Sequence, residues 1–331
     1  MKTTRIFIAL PLLLGLALPL FADLEPGRPL ESNSLIWRPE KAARETDFRI
    51  ILISSLNRDV ENHILLIAPD GKTSLIDAGQ CTAYPELTKT FDKYGIRHID
   101  QVILTHHHDD HVGGLPAILP MEKYTFGEIL WQMISDEELD CEGEGEANRI
   151  RIQQIQERAA ARGTPIREVK MGDVIDFGSG AKGTILMDNQ PELHKQGINN
   201  KSLVIRFVYG EFSMLFTGDM CTEEWDVIYA HGISVKSTVL ETGHHGGAYG
   251  TCPSFLQAVA PKAAVSSMPE WLSHDERGID TDNMIHAEGI PHFRAWEASE
   301  TGELVIATDG IFFFITPYGK APAAPQSVQQ P

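Results

Sequence analysis

Apolar residues in this chain come mostly in short, β-branched runs bounded by turn residues, the pattern of buried strands rather than long helices. "FRIILISSL" (48–56) opens the series, and "NHILLIAPDGKTSLIDAG" (62–79) holds two further runs joined at Asp70-Gly71, a hairpin signal. In "YPELTKTFDKYG" (84–95) the spacing changes. Leu87, Phe91 and Tyr94 share one helical face, Pro85 suits a first turn and Gly95 suits a helix end. "IDQVILTH" (99–106) then reads as a buried strand, and "DHVGGLPAIL" (110–119) as a turn entering a helix.

Beyond it, the acidic, Gly-containing residues 136–148 predict an exposed loop, and Ala147–Arg162 a helix with Ile152, Ile155 and Ala159 on one face. "VKMGDVIDFG" and "KGTILM" predict strands, and residues 188–200 a polar loop. "SLVIRFVYGEFSMLFTGDM" (202–220) predicts a hairpin turning at Gly210-Glu211. A helix capped by Thr222 and closed by Gly232 follows, then a buried strand, "STVLETGHHGG" (237–247). Helices near Pro253–Val259 and Asp282–Glu288 and strands at "AAVSS", 292–296, 304–307 and 311–315 complete the reading.

The two ends differ from this body. Residues 1–22 begin with Lys2 and Arg5, run apolar from Ile6 to Phe21 and reach Ala22, the organisation of a secretory signal peptide. The run is shorter than the ~20 apolar residues a spanning helix needs, and Pro11 and Pro19 interrupt it. Export is therefore expected, to the periplasm or beyond, with no membrane span in the mature chain. Residues 23–46 read as a linker or arm, 47–318 as one domain, and 319–331, rich in Pro, Ala and Gln, as a disordered tail. Cleavage after Ala22 would take the net charge from −18 to −20, because it removes two cations and no acid. Without a Lys/Arg cluster, so negative a surface speaks against stable nucleic-acid binding. Cys81, Cys141, Cys221 and Cys252 form no C-x-x-C pair, and their spacing does not tell disulfides from free thiols.

Three predicted strands end in metal-ligand residues: "VILTHHHDDH", "MLFTGD" and "TVLETGHH". Imidazole and carboxylate suit zinc and related divalent ions. On a tight loop His106 and His108 can reach one ion while Asp110 and His111 face a second, and a carboxylate such as Asp219 can bridge them. His107 and Asp109 alternate with these and should point away. A surface His tract binding metal adventitiously is the plainer alternative, but it does not explain the matching residues at the other two strand ends.

His106-x-His108-x-Asp110-His111 resembles the H-x-H-x-D-H signature of the metallo-β-lactamase superfamily, Asp219 in "TGD" and His244 in "TGHHGG" resemble its later metal-ligand motifs, and Asp77 in "LIDAG" resembles the aspartate that members place behind the ligands. Over roughly residues 47–316, the order of segments is similar to the hydrolase domain of bacterial competence DNA-uptake proteins and to secreted relatives that include phosphorylcholine esterases. The resemblance implies a four-layer αββα sandwich in the α/β class, with the site at one edge between its halves. It implies two divalent ions, zinc foremost: His106 and His108 on the first, Asp110, His111 and His244 on the second, Asp219 on both. Asp77 would orient a ligand histidine, and Asp110 would transfer protons. The chain departs from many members in lacking a histidine before the "TGD" strand. Asn199 or Asn200 stands near that place, with His194 a few residues earlier. His245 would face substrate or pack beneath its loop.

The expectation is hydrolysis of a small or wall-attached phosphoester or phosphodiester by a metal-bound hydroxide, formed because paired cations lower the pKa of water toward ~7. A lactone, thioester or β-lactam is the alternative substrate. A non-catalytic extracellular domain that keeps metal for folding is the alternative of another class, although structural zinc sites are usually Cys-rich.

Overall fold

The computed structural model describes residues 46–54, 60–247, 249–298 and 302–316. The expected signal segment, residues 23–45 of the expected arm and the expected tail lie outside them. In chain order the described elements begin β1 (Phe48–Ile53), β2 (Ile64–Ile67), β3 (Thr73–Ile76), α1 (Tyr84–Lys93), β4 (His98–Leu104), α2 (Asp109–Val112), α3 (Leu115–Ile118), β5 (Thr125–Trp131), α4 (Asp136–Leu139) and α5 (Gly145–Arg162). There follow β6 (Ile166–Glu168), β7 (Val174–Gly178), β8 (Ala181–Met187), β9 (Val204–Tyr209), β10 (Phe212–Phe216), α6 (Thr222–Ala230) and β11 (Val239–Glu241). Last come α7 (Pro253–Val259), β12 (Ala263–Ser266), α8 (Glu270–Ser273), α9 (Glu276–Ala287), β13 (His292–Arg294), β14 (Glu303–Thr308) and β15 (Phe313–Thr316).

The strands form an eight-stranded sheet, β15-β14-β1-β2-β3-β4-β5-β6, and a seven-stranded sheet, β13-β12-β11-β10-β9-β8-β7. Alternation along each strand divides the apolar side chains between layers. On β1, Phe48, Ile50 and Leu52 enter the core between the sheets, where Phe207 and Phe216 of the second sheet meet them. Ile51 and Ile53 point the other way, into a core shared with Leu87 and Phe91 of α1 and Ile155 of α5. On the second sheet, Met214 faces inward while Leu215 joins an outer core with Trp225 of α6 and Phe255 of α7. Three parallel cores, one between the sheets and one outside each, make the four-layer αββα arrangement. Burying each such side chain contributes about 1.5–3 kcal/mol.

Several elements differ from the sequence expectation. Residues 136–139 are helical rather than loop, because Ser135 and Glu138 close a capping box in which each side chain bonds the other's backbone N–H. Cys221, not Thr222, occupies the N-cap of α6, and Thr222 lies in the first turn. Helix α9 starts at Glu276 because Asp275 accepts a hydrogen bond from the Arg277 N–H. Strands β5 and β6 extend the first sheet beyond the expected set. All four cysteines are unbridged. Among the described residues no helix is long and apolar enough to cross a membrane.

Candidate metal centre

The centre is built where parallel strands stop. β3 and β4 run parallel in one sheet, as do β10, β11 and β12 in the other, so each set releases its loops together. After β3 comes Asp77, held at φ 57, a strained value for a residue with a side chain. Its buried carboxylate accepts from Thr105 N–H (2.8 Å), Thr105 Oγ1 (2.7 Å) and His111 Nδ1 (2.6 Å). After β10, Gly218 turns at φ 51, and a Cβ there would stand 3.0 Å from the Thr105 side chain. Glycine thus lets the second sheet's loop close on the first sheet's. Gly114 serves a similar close approach: a Cβ would lie 2.2 Å from the Ala78 carbonyl oxygen.

Two groups that could hold a metal ion result, sharing one carboxylate: Asp110, His111, Asp219 and His245, and His106, His108 and Asp219. Asp219 Oδ1 lies 3.0 Å from His111 Nε2 and 3.2 Å from His245 Nε2, and His245 Nε2 lies 3.3 Å from Asp110 Oδ2. On the other side, His106 Nε2 lies 3.2 Å from His108 Nδ1 and 3.7 Å from Asp219 Oδ2.

The protons on these rings follow from their outward partners. Thr105 Oγ1 donates to Asp77, and Ser202 Oγ donates to the Asn199 carbonyl (2.9 Å). Both hydroxyls contact His106 Nδ1, at 3.2 and 3.4 Å, and with their protons committed they can only accept. His106 Nδ1 therefore carries the proton and Nε2 turns a lone pair inward. His111 donates from Nδ1 to Asp77, and His108 from Nε2 to Glu142 Oε2 at 2.7 Å. Asp219 Oδ1 is buried and accepts no well-formed hydrogen bond, although two ring nitrogens stand within 3.2 Å. Ring nitrogens converging on a buried carboxylate oxygen suit a divalent cation.

Electrostatics agree. Burial lowers the pKa of His111, but the Asp219, Asp77 and Asp110 carboxylates outweigh it and hold the ring well above its ordinary value. Burial likewise opposes His245, yet Asp219 and Asp110 push it up to about 9. Burial would raise Asp219, and His111 and His245 outweigh it and keep it well below the usual carboxylate range. In the metal-free protein, protons take the place of the cation, so metal binding should release them. His106, without so close an acid, is held well below the ordinary value by burial and the neighbouring His111.

One expected position changes. His245, expected as a substrate-side or packing residue, stands in the second group, and His244, expected there, stands in neither. Both residues adopt positive φ, 51 and 56. That turn points His245 inward, with Nδ1 2.9 Å from Ser267 Oγ beyond β12. His244 is left 37% exposed, its Nε2 3.9 Å from Asp219 Oδ2 and 3.3 Å from Asn199 Nδ2. Sequence spacing cannot reveal which of two adjacent histidines an αL turn will aim inward.

His107 points away as expected, and it is a buried, structural ring. It stacks on Trp131 with centroids 4.8 Å apart, and burial lowers its pKa to about 3. Asp109 pairs with Arg151 at 2.9 Å. His194 is exposed and faces Glu138, away from both groups. Glu142, Ser202 and Ser267 hold ligand histidines without having been expected to. Ser202 and Ser267 lie in or beside segments already singled out, whereas Glu142 sits in the stretch that looked like an acidic loop. A cavity of about 610 Å³ opens over His108, Asp109 and Asp110, with Glu142, Glu144 and Trp271 on its walls and no lysine or arginine among the described residues that line it.

A family model described as the metallo-beta-lactamase superfamily matches residues 58–268. The chain belongs to that superfamily. ComE operon protein 3 of Bacillus subtilis (strain 168) is 29% identical over 173 residues, covering 52% of this chain and 20% of that protein. Competence protein ComA of Neisseria gonorrhoeae is 27% identical over 243 residues, covering 73% of this chain and 29% of that protein. The chain thus spans less than a third of either relative's length. Zinc-bound PqqB from Methylobacterium extorquens, a solved structure, aligns over 74% of this chain and 96% of its own, with 13% identity and a TM-score of 0.45. The superfamily match carries the resemblance read from the six-residue cluster, and the architecture is its αββα fold.

Proposed function

We propose that this superfamily member is an exported hydrolase of a small or wall-attached phosphoester, with two divalent ions, zinc foremost, in the two ligand groups. The observation that carries the reading is Asp219, whose two oxygens face different sets of inward lone pairs. Ions held there would supply Lewis acidity and make hydroxide available from water near neutral pH.

The chain's own residues have separable roles. Asp219 sets the spacing of the two groups. Asp77, Thr105, Ser202 and Ser267 fix the ligand rings through their outward nitrogens. Asp110 lines the cavity and is 26% exposed at its side chain. Burial would raise its pKa, but His111 and His245 outweigh it and keep it ionised. It therefore enters as a proton acceptor from the attacking water. As the water oxygen bonds to phosphorus and the P–O bond to the leaving group breaks, Asp110 passes that proton to the leaving oxygen. The net charge of −18 and the lack of a Lys/Arg cluster in the sequence support a compact phosphoester over a nucleic-acid strand, whose binding depends on Lys and Arg. The N-terminal apolar segment supports export.

The test is metal content by elemental mass spectrometry on the exported, untagged protein, paired with hydrolysis of bis(p-nitrophenyl) phosphate and of a lactone and β-lactam panel. About two ions per chain with phosphodiester turnover is expected. Turnover confined to the carbonyl panel would overturn the substrate class. A chain without metal would overturn the reading and favour a binding domain.

A further inference from the structure

Each ligand ring needs a partner on its outward nitrogen, and for His108 that partner comes from an unexpected place. Glu142 lies between α4 and α5 and accepts from His108 Nε2 through Oε2 at 2.7 Å. Its other oxygen, Oε1, accepts from the Ile198 N–H at 2.7 Å. The carboxylate thus ties the ligand loop after β4 to the 197–202 segment, whose Ser202 contacts His106 Nδ1 and accepts from the Asp219 N–H at 3.0 Å. His108 is 17% exposed at its side chain, whereas His106, His111 and His245 are at most 2% exposed. It is the ring that packing holds least. His108 also serves the smaller group, with three ligand residues against four.

Resting on the metal reading above, we infer that Glu142 is a positioning residue that fixes the tautomer and orientation of His108 and governs retention of the ion held by His106, His108 and Asp219. A carboxylate accepting from a ligand imidazole orients the ring and raises its donor strength, and losing one typically costs 10–100-fold in metal affinity. With one ligand residue fewer, the first group depends on that strengthening more than the second does. Glu142 lies in the short turn between α4 and α5, and each of its carboxylate oxygens has its own donor, His108 Nε2 and the Ile198 N–H.

The test is chelator competition on the full exported chain, read as ions retained, with cobalt absorption reporting ligand geometry independently of any substrate. Glu142→Ala should bind one of its two ions about 10–100-fold more weakly and keep the other at wild-type affinity, with a changed cobalt spectrum. Glu142→Gln keeps shape and a carbonyl acceptor, so it should fall between Ala and wild type. It also carries the test if the alanine variant does not fold. Glu146→Ala, a nearby acid 82% exposed at its side chain, should change neither readout. Wild-type affinity for both ions in Glu142→Ala, or equal weakening of both, would overturn the inference while leaving the metal centre standing. A wild-type chain that binds no metal would remove both.

Discussion

The adjacent histidines offer the sharpest discrimination, because substituting them one at a time tests the tertiary geometry against the motif. His245 Nε2 lies 3.2 Å from Asp219 Oδ1 and 3.3 Å from Asp110 Oδ2, inside a four-residue group. His244 Nε2 comes no nearer to Asp219 than 3.9 Å at Oδ2 and lies in neither group. His245→Ala should therefore leave one ion and His244→Ala two. The size of the effect follows from linkage. At free metal a hundredfold above Kd, each ion stabilises the fold by about 2.7 kcal/mol. At 2–4 °C per kcal/mol for a domain of this size, one ion accounts for roughly 5–11 °C of melting temperature. The assay is thermal unfolding of each variant with zinc and with chelator, reading the difference. That subtraction cancels what His245→Ala loses by vacating a buried position beside Ser267. His245→Ala should lose about one ion's share of the zinc-dependent gain, and His244→Ala none. A His244→Ala protein that loses an ion while His245→Ala keeps both would refute the geometric assignment and restore the one expected from the motif.

Asp219→Ala should abolish both ions and the whole zinc-dependent gain, since both groups share that carboxylate. Wild-type metal content by elemental analysis would contradict it. His107→Ala should keep two ions yet lower stability to urea by about 2–4 kcal/mol, because the ring is buried against Trp131 and leaves a cavity. Metal loss without destabilisation would show that the ring faces the centre instead. Gly114→Ala should cost about 3 kcal/mol, since a Cβ would meet the rigid Ala78 carbonyl at 2.2 Å. An unchanged urea midpoint would mean that the close approach of these loops is not needed.

Much of the molecule could be read before its structure was seen. The β2–β3 hairpin follows from two short apolar runs joined at Asp70-Gly71, and α1 from the face shared by Leu87 and Phe91. These depend on contacts within a few residues. The cluster from His106 to His111 was legible because one strand end supplies it, so neighbours in sequence are neighbours in space. Alternation also turned His107 outward, as expected. What it turned toward, the buried face of Trp131, is a long-range fact that left no mark in the motif.

Other features were decided only when distant segments met. Positive φ at His244 and His245, beside the close approach of Gly243 to Gly250, chose which imidazole faces Asp219. Glu142 meets His108 across 34 residues of sequence, from the turn between α4 and α5. The proton on His106 was assigned only once Asp77 and the Asn199 carbonyl had claimed the protons of Thr105 and Ser202. The sequence by itself determined the ligand chemistry, written in residue type, and the succession of strands and helices, written in local period, while the four-layer arrangement was implied by the family resemblance. Tertiary structure decided which side chains serve that chemistry, because ring orientation and hydrogen-bond direction are settled across the gap between two sheets.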